Sequence, residues 1–194
     1  RAGRSRAERR ARTTTCRAIS GQGGLAMFAV GFVGPSGVGK TTLMEKVLAR
    51  LVSRGRSVSA VKSTHHDTDL DSLGKDSWRF RTAGASEVVL AGQKRWALMR
   101  ETAEQSVSLR EILSRMDAVD IVLVEGYKGE EGIPRILVHR RDCEQALAML
   151  PGVAAIATDD PDLDIPEGVA RLDINSPGAV ANFVVTLKAD SDHL

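Results

Sequence analysis

The sequence predicts an α/β protein in which a mainly parallel sheet is flanked by helices, so that the fold has three layers. Three observations support this prediction. Short apolar, β-branched runs alternate along the chain with segments of helical spacing, which is typical of strands joined by crossover helices. The run IVLV within 120–124 is apolar without alternation, as in a strand that is covered on both faces. A glycine-rich segment at 34–41 separates the first strand-like run from the first helix-like one.

The elements follow one another in a regular order. The apolar run at 28–33 predicts the first strand, and apolar side chains at helical spacing predict a helix at 41–51. Further strands are predicted at 57–62, 87–91, 95–99, 120–124, 135–139 and 153–157. Further helices are predicted near 77–83, 108–116, 143–150 and 177–187. Ligands bind beyond the carboxyl ends of parallel strands. The loops that should converge on one site are therefore 34–41, 62–67, 125–128 and 157–160.

Charge is unevenly distributed along the 194 residues. Residues 1–26 hold seven arginines against one glutamate, whereas the rest of the chain has 20 basic and 24 acidic side chains. We interpret 1–26 as a disordered, Arg-rich extension and 27–194 as one domain. The composition of 1–26 also fits an organellar transit peptide, and translation from an upstream start explains it equally well. The mildly acidic body gives no reason to expect a nucleic acid partner.

Hydropathy and cysteine content predict the cellular location of the protein. No apolar run approaches the roughly 20 residues that a membrane-spanning helix needs, so we expect a soluble protein with no membrane partner. The two cysteines, Cys16 and Cys143, cannot build a disulfide framework. A cytoplasmic location is therefore expected.

The segment GPSGVGKTT fits the pattern GxxxxGK[ST] and lies between a strand and a helix, the context that this pattern requires. It is therefore predicted to be a P-loop, in which backbone N–H groups and the helix start bind phosphate oxygens. Lys40 should meet the β- and γ-phosphates, and the Thr41 hydroxyl should bind Mg²⁺. The predicted nucleotide-binding residues of this segment are Gly34, Ser36, Gly37, Val38, Gly39, Lys40, Thr41 and Thr42.

Glu125 ends the apolar run IVLVE, where P-loop proteins carry a second acidic group close to the phosphates. It is the predicted catalytic residue and, with Thr41, a predicted metal ligand. A carboxylate there could hold Mg²⁺ through water or polarise an attacking water. A strand-end acid without a metal role is the alternative.

Two other polar segments follow predicted strands. In KSTHHD, phosphate or magnesium-water contacts are expected from Asp67 or one histidine, His65 in the first instance, and a plain polar loop is the alternative. In AIATDD, Asp159 is the predicted base reader, because a carboxylate can accept both N1–H and N2–H₂ of guanine. The full NKxD string is absent, and the neighbouring Asp160 makes this loop acidic in general.

Several segments together resemble the molybdopterin-guanine dinucleotide biosynthesis adaptor family, in order and spacing. They are GPSGVGKTT, KSTHHD, GKDSWR with AGA, QKRWALMRET, VLVEGYK and LDIN. The resemblance runs from about Phe28 to Val185, and its GKDSWR and KRWALM segments are the specific ones. This chain has Ser63 where the family commonly has another histidine.

The resemblance implies a homodimeric GTP-binding protein with weak GTPase activity, whose sheet extends across the dimer. It implies GTP and Mg²⁺ as cofactors, a guanylyltransferase that attaches GMP to molybdopterin as partner, and molybdopterin as a further candidate ligand. By position, Gly37, Gly39, Lys40, Thr41 and Thr42 bind phosphate and magnesium. Glu125 takes the Walker B role, and Asp159 reads the base.

Two other function classes remain open from the sequence. A small-molecule kinase could use the P-loop, magnesium and the arginines Arg79 and Arg81 for phosphoryl transfer. A GTP-driven metal-insertion protein could use His65 and His66. No arginine adjoins the phosphate motifs in sequence. A transition-state cation is therefore expected from Lys128, from the 75–81 segment or from another chain.

Overall fold

The computed structural model describes residues 19–20, 26–64, 71–102, 107–143 and 149–192. The chain divides into two compact units, one formed by Arg1–Ser63 with Leu109–Leu194 and the other by Thr64–Ser108. In chain order the elements are β1 (Ile19–Ser20), β2 (Ala26–Val33), α1 (Lys40–Val52), β3 (Val58–Lys62), α2 (Asp76–Thr82), β4 (Glu87–Ala91), β5 (Trp96–Arg100), α3 (Leu109–Ser114), β6 (Ile121–Glu125), β7 (Arg135–Val138), β8 (Val153–Thr158), β9 (Ala170–Asp173) and α4 (Pro177–Asp192).

The larger unit is built on one sheet. Six of its strands lie in the order β3-β6-β2-β7-β8-β9 and are parallel, and the short β1 pairs antiparallel with the start of β2. Strand β2 lies in the interior of the sheet, between β6 and β7. Its carboxyl end runs into the glycine-rich segment, so this segment begins between the ends of two neighbouring strands.

Apolar side chains cover both faces of the sheet. On β2, Val30 and Phe32 belong to a cluster with residues of α1 and α4, whereas Met27 and Ala29 belong to a second cluster with residues of α3. Alternate side chains of a strand point to opposite faces, so helices lie on both sides. The predicted three-layer α/β fold with a mainly parallel sheet is confirmed.

A side-chain clasp joins the starts of the neighbouring strands β3 and β6. The carboxylate of Asp120 accepts from the backbone N–H and the hydroxyl of Ser57, both at 2.9 Å. The same hydroxyl accepts from the backbone N–H of Asp120 at 2.8 Å. These hydrogen bonds lower the pKa of Asp120, the one from the Ser57 N–H contributing most.

The predicted elements match the observed ones except in three places. Strand β9 was not predicted, because its four residues are half polar and lie at the edge of the sheet. Strand β1 was not predicted, and it pairs with residues 26–27; the disorder of the Arg-rich extension stays a prediction. Most of the helix predicted at 143–150 lies outside the described residues.

The smaller unit contains α2 and an antiparallel hairpin of β4 and β5. Both strands are largely exposed, including Val89, Leu90 and Trp96. Arg81 of α2 forms ion pairs with Asp71 at 3.6 Å and with Glu101 at 2.6 Å. Across the described parts of both units, no helix is long and apolar enough to span a membrane.

Candidate functional site

The glycine-rich loop between β2 and α1 depends on glycine conformations. Gly34, Gly37 and Gly39 have φ angles of 147°, 77° and 93°. A Cβ on Gly34 would lie 2.4 Å from the carbonyl oxygen of Val138, whereas one on Gly37 would meet no atom within 4 Å. Gly34 therefore lets the loop pass against β7. Gly39 is the residue before α1, which begins at Lys40.

Lys40 turns its ammonium back into this loop, donating to the carbonyl oxygens of Gly34 and Pro35. Burial lowers the pKa of Lys40, the carboxylate of Glu125 opposes that shift, and the charges of Lys128 and Lys62 add to it. Several ammonium groups thus lie close together around the start of α1. Such a concentration of positive charge suits a polyanionic ligand.

Thr41 and Glu125, the two predicted metal ligands, are in direct contact. The hydroxyl of Thr41 donates to Oε2 of Glu125 at 2.8 Å. Glu125 is the last residue of β6 and is buried, with 8% of its surface exposed. The sheet register places it beside Phe32 of β2 and Lys62 of β3. The two ligands come together because the P-loop strand and the strand of Glu125 are neighbours.

Lys62 is a functional candidate that the sequence reading missed. Its ammonium lies 3.1 Å from Oγ1 of Thr41 and 3.4 Å from Oε2 of Glu125. The sequence predicts the loop 62–67 near the site but assigns no role to Lys62, because sequence alone does not give the register that aligns it with Glu125. The available signal was its position as the first residue of KSTHHD, at the carboxyl end of a predicted strand.

Asp159 follows β8, and both of its carboxylate oxygens accept hydrogen bonds. Oδ2 accepts from Nη1 of Arg140 at 2.7 Å, and Oδ1 accepts from the backbone N–H of Arg141 at 2.9 Å. The bond from Arg141 is the main cause of a lowered pKa for Asp159, and Arg140 adds to it. Asp159 is therefore an ionised acceptor held at the strand end.

A small cavity lies beside the start of α1. Its volume is about 110 Å³, and its lining includes Gly39, Thr42, Arg140 and Asn175. Nε of Arg140 would lie 3.9 Å from a Cβ on Gly39. Arg140 therefore lies close to the P-loop, although no arginine adjoins the phosphate motifs in sequence. Arg140 reaches the P-loop because the end of β7 neighbours the end of β2.

The remaining predicted residues fall into two groups. Ser36 is exposed in the loop, and Val38 is buried, so Val38 can offer only its backbone to a phosphate. His65, His66 and Asp67 lie outside the described residues. Within the described ranges no three His, Cys, Asp or Glu side chains form a group that could hold a metal ion.

The residues present fit a magnesium-bound nucleotide. A hydroxyl and a carboxylate are hard oxygen donors, and Mg²⁺ is usually bound by one or two such groups together with phosphate oxygens and water. Thr41 and Glu125 supply this pair. The left-handed glycines and the start of α1 supply the backbone geometry of a phosphate site.

Comparison with known proteins gives a consistent result. The family model described as molybdopterin guanine dinucleotide synthesis protein B (MobB) matches residues 29–159. The chain is 44% identical over 158 residues to the molybdopterin-guanine dinucleotide biosynthesis adapter protein of Haemophilus influenzae, covering 80% of this chain and 86% of the relative. It is also 44% identical over 161 residues to the protein of that name from Escherichia coli, covering 79% and 89%.

Solved structures show the same likeness. A crystal structure of molybdopterin-guanine biosynthesis protein B superposes with a TM-score of 0.62 at 26% identity, covering 82% of this chain and 99% of the other. A MobB homologue from Bacillus stearothermophilus superposes with a TM-score of 0.61 at 26% identity, covering 84% and 98%.

Proposed function

Because the chain belongs to the molybdopterin guanine dinucleotide synthesis protein B family, we propose that it is a GTP-binding adaptor in molybdenum cofactor biosynthesis. It would assist the guanylyltransferase that attaches GMP to molybdopterin and hydrolyse GTP only weakly. The observation that carries this proposal is the contact of Thr41 with Glu125 directly beside the P-loop. We place this adaptor in the cytoplasm, because a chain with only two cysteines is typical of a reducing compartment.

The triphosphate is assigned to the P-loop and the start of α1. Backbone N–H groups of 34–42 would receive the phosphate oxygens, and Lys40 would exchange the carbonyls of Gly34 and Pro35 for them. This exchange is favourable because burial already disfavours the charged lysine, and phosphate oxygens are stronger acceptors for an ammonium than neutral carbonyls.

Magnesium is assigned to Thr41 and Glu125. The hydroxyl would bind the ion directly, and the carboxylate would hold one of its water ligands or orient the attacking water. When bound, the metal would neutralise charge on the phosphates. Glu125 suits this role because every residue of its strand is buried, so its carboxylate is held in place before any ligand arrives.

Guanine is assigned to the end of β8 and the adjoining cavity. Asp159 is ionised and lies beside Arg140, which also lines the cavity next to Thr42. Guanine N1–H and N2–H₂ could replace the N–H donors of Arg140 and Arg141 that Asp159 now binds. Both carboxylate oxygens would then still accept a hydrogen bond. Adenine lacks that pair of donors, so the exchange would favour GTP over ATP.

The homodimer is assigned to the hairpin of β4 and β5. Within the described residues these strands pair only with each other, so their outer edges can extend a sheet into a second copy. Val89, Trp96 and Leu98 share one face by register, and their exposed fractions lie between 42% and 69%. An exposed apolar face on a hairpin that pairs with no other described strand is typical of an interface.

The dimer assignment can be tested with a matched pair of variants. Val89→Lys places a charge on the hairpin, and Val52→Lys makes the same change at the end of α1, where 51% of the valine is exposed. Light scattering should give a monomer for the first variant and a dimer for the second. Dimers in both variants would place the interface elsewhere.

The nucleotide assignment is tested by calorimetry with GTP, ATP and their non-hydrolysable analogues, with and without magnesium. We expect magnesium-dependent binding that prefers GTP and that Lys40→Ala abolishes in a folded protein. Hydrolysis should be slow in the isolated chain and faster with a guanylyltransferase. Rapid turnover that the guanylyltransferase does not alter would count against an adaptor.

The rival functions give different outcomes in the same assays. A small-molecule kinase would transfer the γ-phosphate to an acceptor, and its proposed arginine Arg81 is already paired with Asp71 and Glu101. A metal-insertion protein would bind zinc or nickel stoichiometrically and lose that binding when His65 and His66 are both replaced.

A further inference from the structure

The contact of Lys62 with both predicted metal ligands is the feature that the proposed function does not use. Three polar groups meet there. Thr41 donates its hydroxyl hydrogen to Glu125 at 2.8 Å and accepts from the ammonium of Lys62 at 3.1 Å. The same ammonium lies 3.4 Å from Oε2 of Glu125. The ammonium of Lys62 therefore places a positive charge beside the carboxylate of Glu125 without a metal ion.

The strand register explains how the lysine reaches these oxygens. Lys62 and Glu125 are paired residues of the parallel strands β3 and β6, so their side chains lie on the same face of the sheet. The surroundings of the two groups differ. The side chain of Glu125 is 10% exposed, whereas that of Lys62 is 59% exposed. The carboxylate is therefore fixed, and the lysine can move away into solvent.

An ammonium and a magnesium ion cannot share this position. Mg²⁺ binds oxygen ligands at about 2.0–2.1 Å, so an ion in contact with both Oγ1 of Thr41 and Oε2 of Glu125 would lie within about 4.5 Å of the present ammonium nitrogen. Two cations at such a distance repel each other strongly even at high dielectric.

We propose that the ammonium of Lys62 occupies the magnesium position between Thr41 and Glu125 and leaves it when the metal arrives with a nucleoside triphosphate. This inference rests on the metal site of the proposed function. It adds a mechanism that regulates when a divalent cation can bind there. Lys62 neutralises Glu125 in the nucleotide-free protein and makes the site a poor binder of free divalent cations. The metal–triphosphate complex displaces the lysine because its phosphates bring additional contacts with the P-loop.

The displaced lysine remains useful at the site. Its main chain is fixed at the end of β3, next to Glu125, and its four-carbon side chain is flexible. After displacement the ammonium stays near the triphosphate. It thereby supplies a transition-state cation, for which the sequence alone suggests Lys128, the 75–81 segment or another chain.

The test is a titration of the full-length, nucleotide-free protein with Mn²⁺ as the probe, followed by electron paramagnetic resonance of the unbound ion. Lys62→Ala should bind Mn²⁺ at least about tenfold more tightly than wild type, because a unit charge close to a divalent cation is removed. Adding Glu125→Gln to this variant should abolish the gain. Lys62→Met keeps most of the side-chain volume. This variant should show the same gain in Mn²⁺ affinity if the alanine variant perturbs the fold.

Lys128→Ala is the charge-matched control. Lys128 also acts on the pKa of Lys40, so its removal changes the local charge by the same amount. We expect its Mn²⁺ affinity to stay within about twofold of wild type, because the contacts with Thr41 and Glu125 are made by Lys62. Equal affinities in wild type, Lys62→Ala and Lys62→Met would overturn the inference, as would equal gains from the Lys62 and Lys128 variants. Magnesium-dependent GTP binding would still be intact in those cases, so the proposed function would stand.

Discussion

Replacing Gly34 or Gly37 of the P-loop by alanine should lower the unfolding free energy by clearly different amounts. Both have positive φ angles, 147° for Gly34 and 77° for Gly37. For Gly37→Ala the cost is conformational, about 1–2 kcal/mol for an L-residue in a left-handed conformation, because its Cβ would meet no atom within 4 Å.

Gly34→Ala adds a collision to a similar conformational cost. Its Cβ would lie 2.4 Å from the carbonyl oxygen of Val138, and this backbone belongs to β7, which cannot move without disturbing its pairing with β2 and β8. Overpacking typically costs about 1–3 kcal/mol, and backbone strain about 1–3 kcal/mol. We therefore expect Gly34→Ala to lose about 2–6 kcal/mol of unfolding free energy.

The measurement is urea unfolding followed by far-ultraviolet circular dichroism in the absence of nucleotide. The two variants should have similar m-values, and the midpoint for Gly34→Ala should be clearly the lower. A difference in unfolding free energy below about 0.5 kcal/mol would refute the reasoning. Such a small difference would mean that the P-loop can move away from β7 with little loss of stability.

Three further predictions concern the metal, the base and the sheet. Thr41→Ala should weaken GTP binding when Mg²⁺ is present and have little effect in EDTA, as measured by calorimetry; equal losses in both buffers would argue against a metal contact. Asp159→Asn should reduce the preference for GTP over ATP by about 1–3 kcal/mol in binding free energy, and full discrimination in this variant would assign the base to Asp160 or to backbone groups. Asp120→Asn should lower the urea midpoint at pH 7, because hydrogen bonds from Ser57 hold the pKa of Asp120 below its usual value in the folded protein. That stabilisation is present above the unfolded-state pKa and is lost as the pH falls through the folded pKa, so the variant and wild type should converge in acid and a constant gap would contradict the assignment.

The sequence was sufficient for the P-loop and for the buried strands. Each of these carries a local signal, either a fixed glycine spacing or an apolar run such as that of β6. The edge strand β9 has alternating half-buried and exposed residues and only four of them. Its pairing with β8 is decided by the sheet and not by its own composition, so local patterns did not predict it.

The candidate site was only partly predictable for a related reason. Thr41, Glu125 and Asp159 follow strands or belong to a motif, so their position at the sheet edge could be inferred. Lys62 and Arg140 enter the site through the lateral order and register of the strands. A single sequence contains no direct information about which strands are neighbours. The contacts of these two cations could therefore not be predicted from local patterns, although the loop that begins at Lys62 was expected at the site.

The contact between Thr41 and Glu125 joins residues that are 84 positions apart. A fragment that ends before β6 would contain the complete GPSGVGKTT motif and still lack half of the metal-binding pair. Loop-closure entropy opposes such distant contacts until the intervening chain has folded. Ligand affinity at this site should therefore appear late in refolding, together with the central strand pairing, and nucleotide protection would serve as a kinetic reporter of sheet completion.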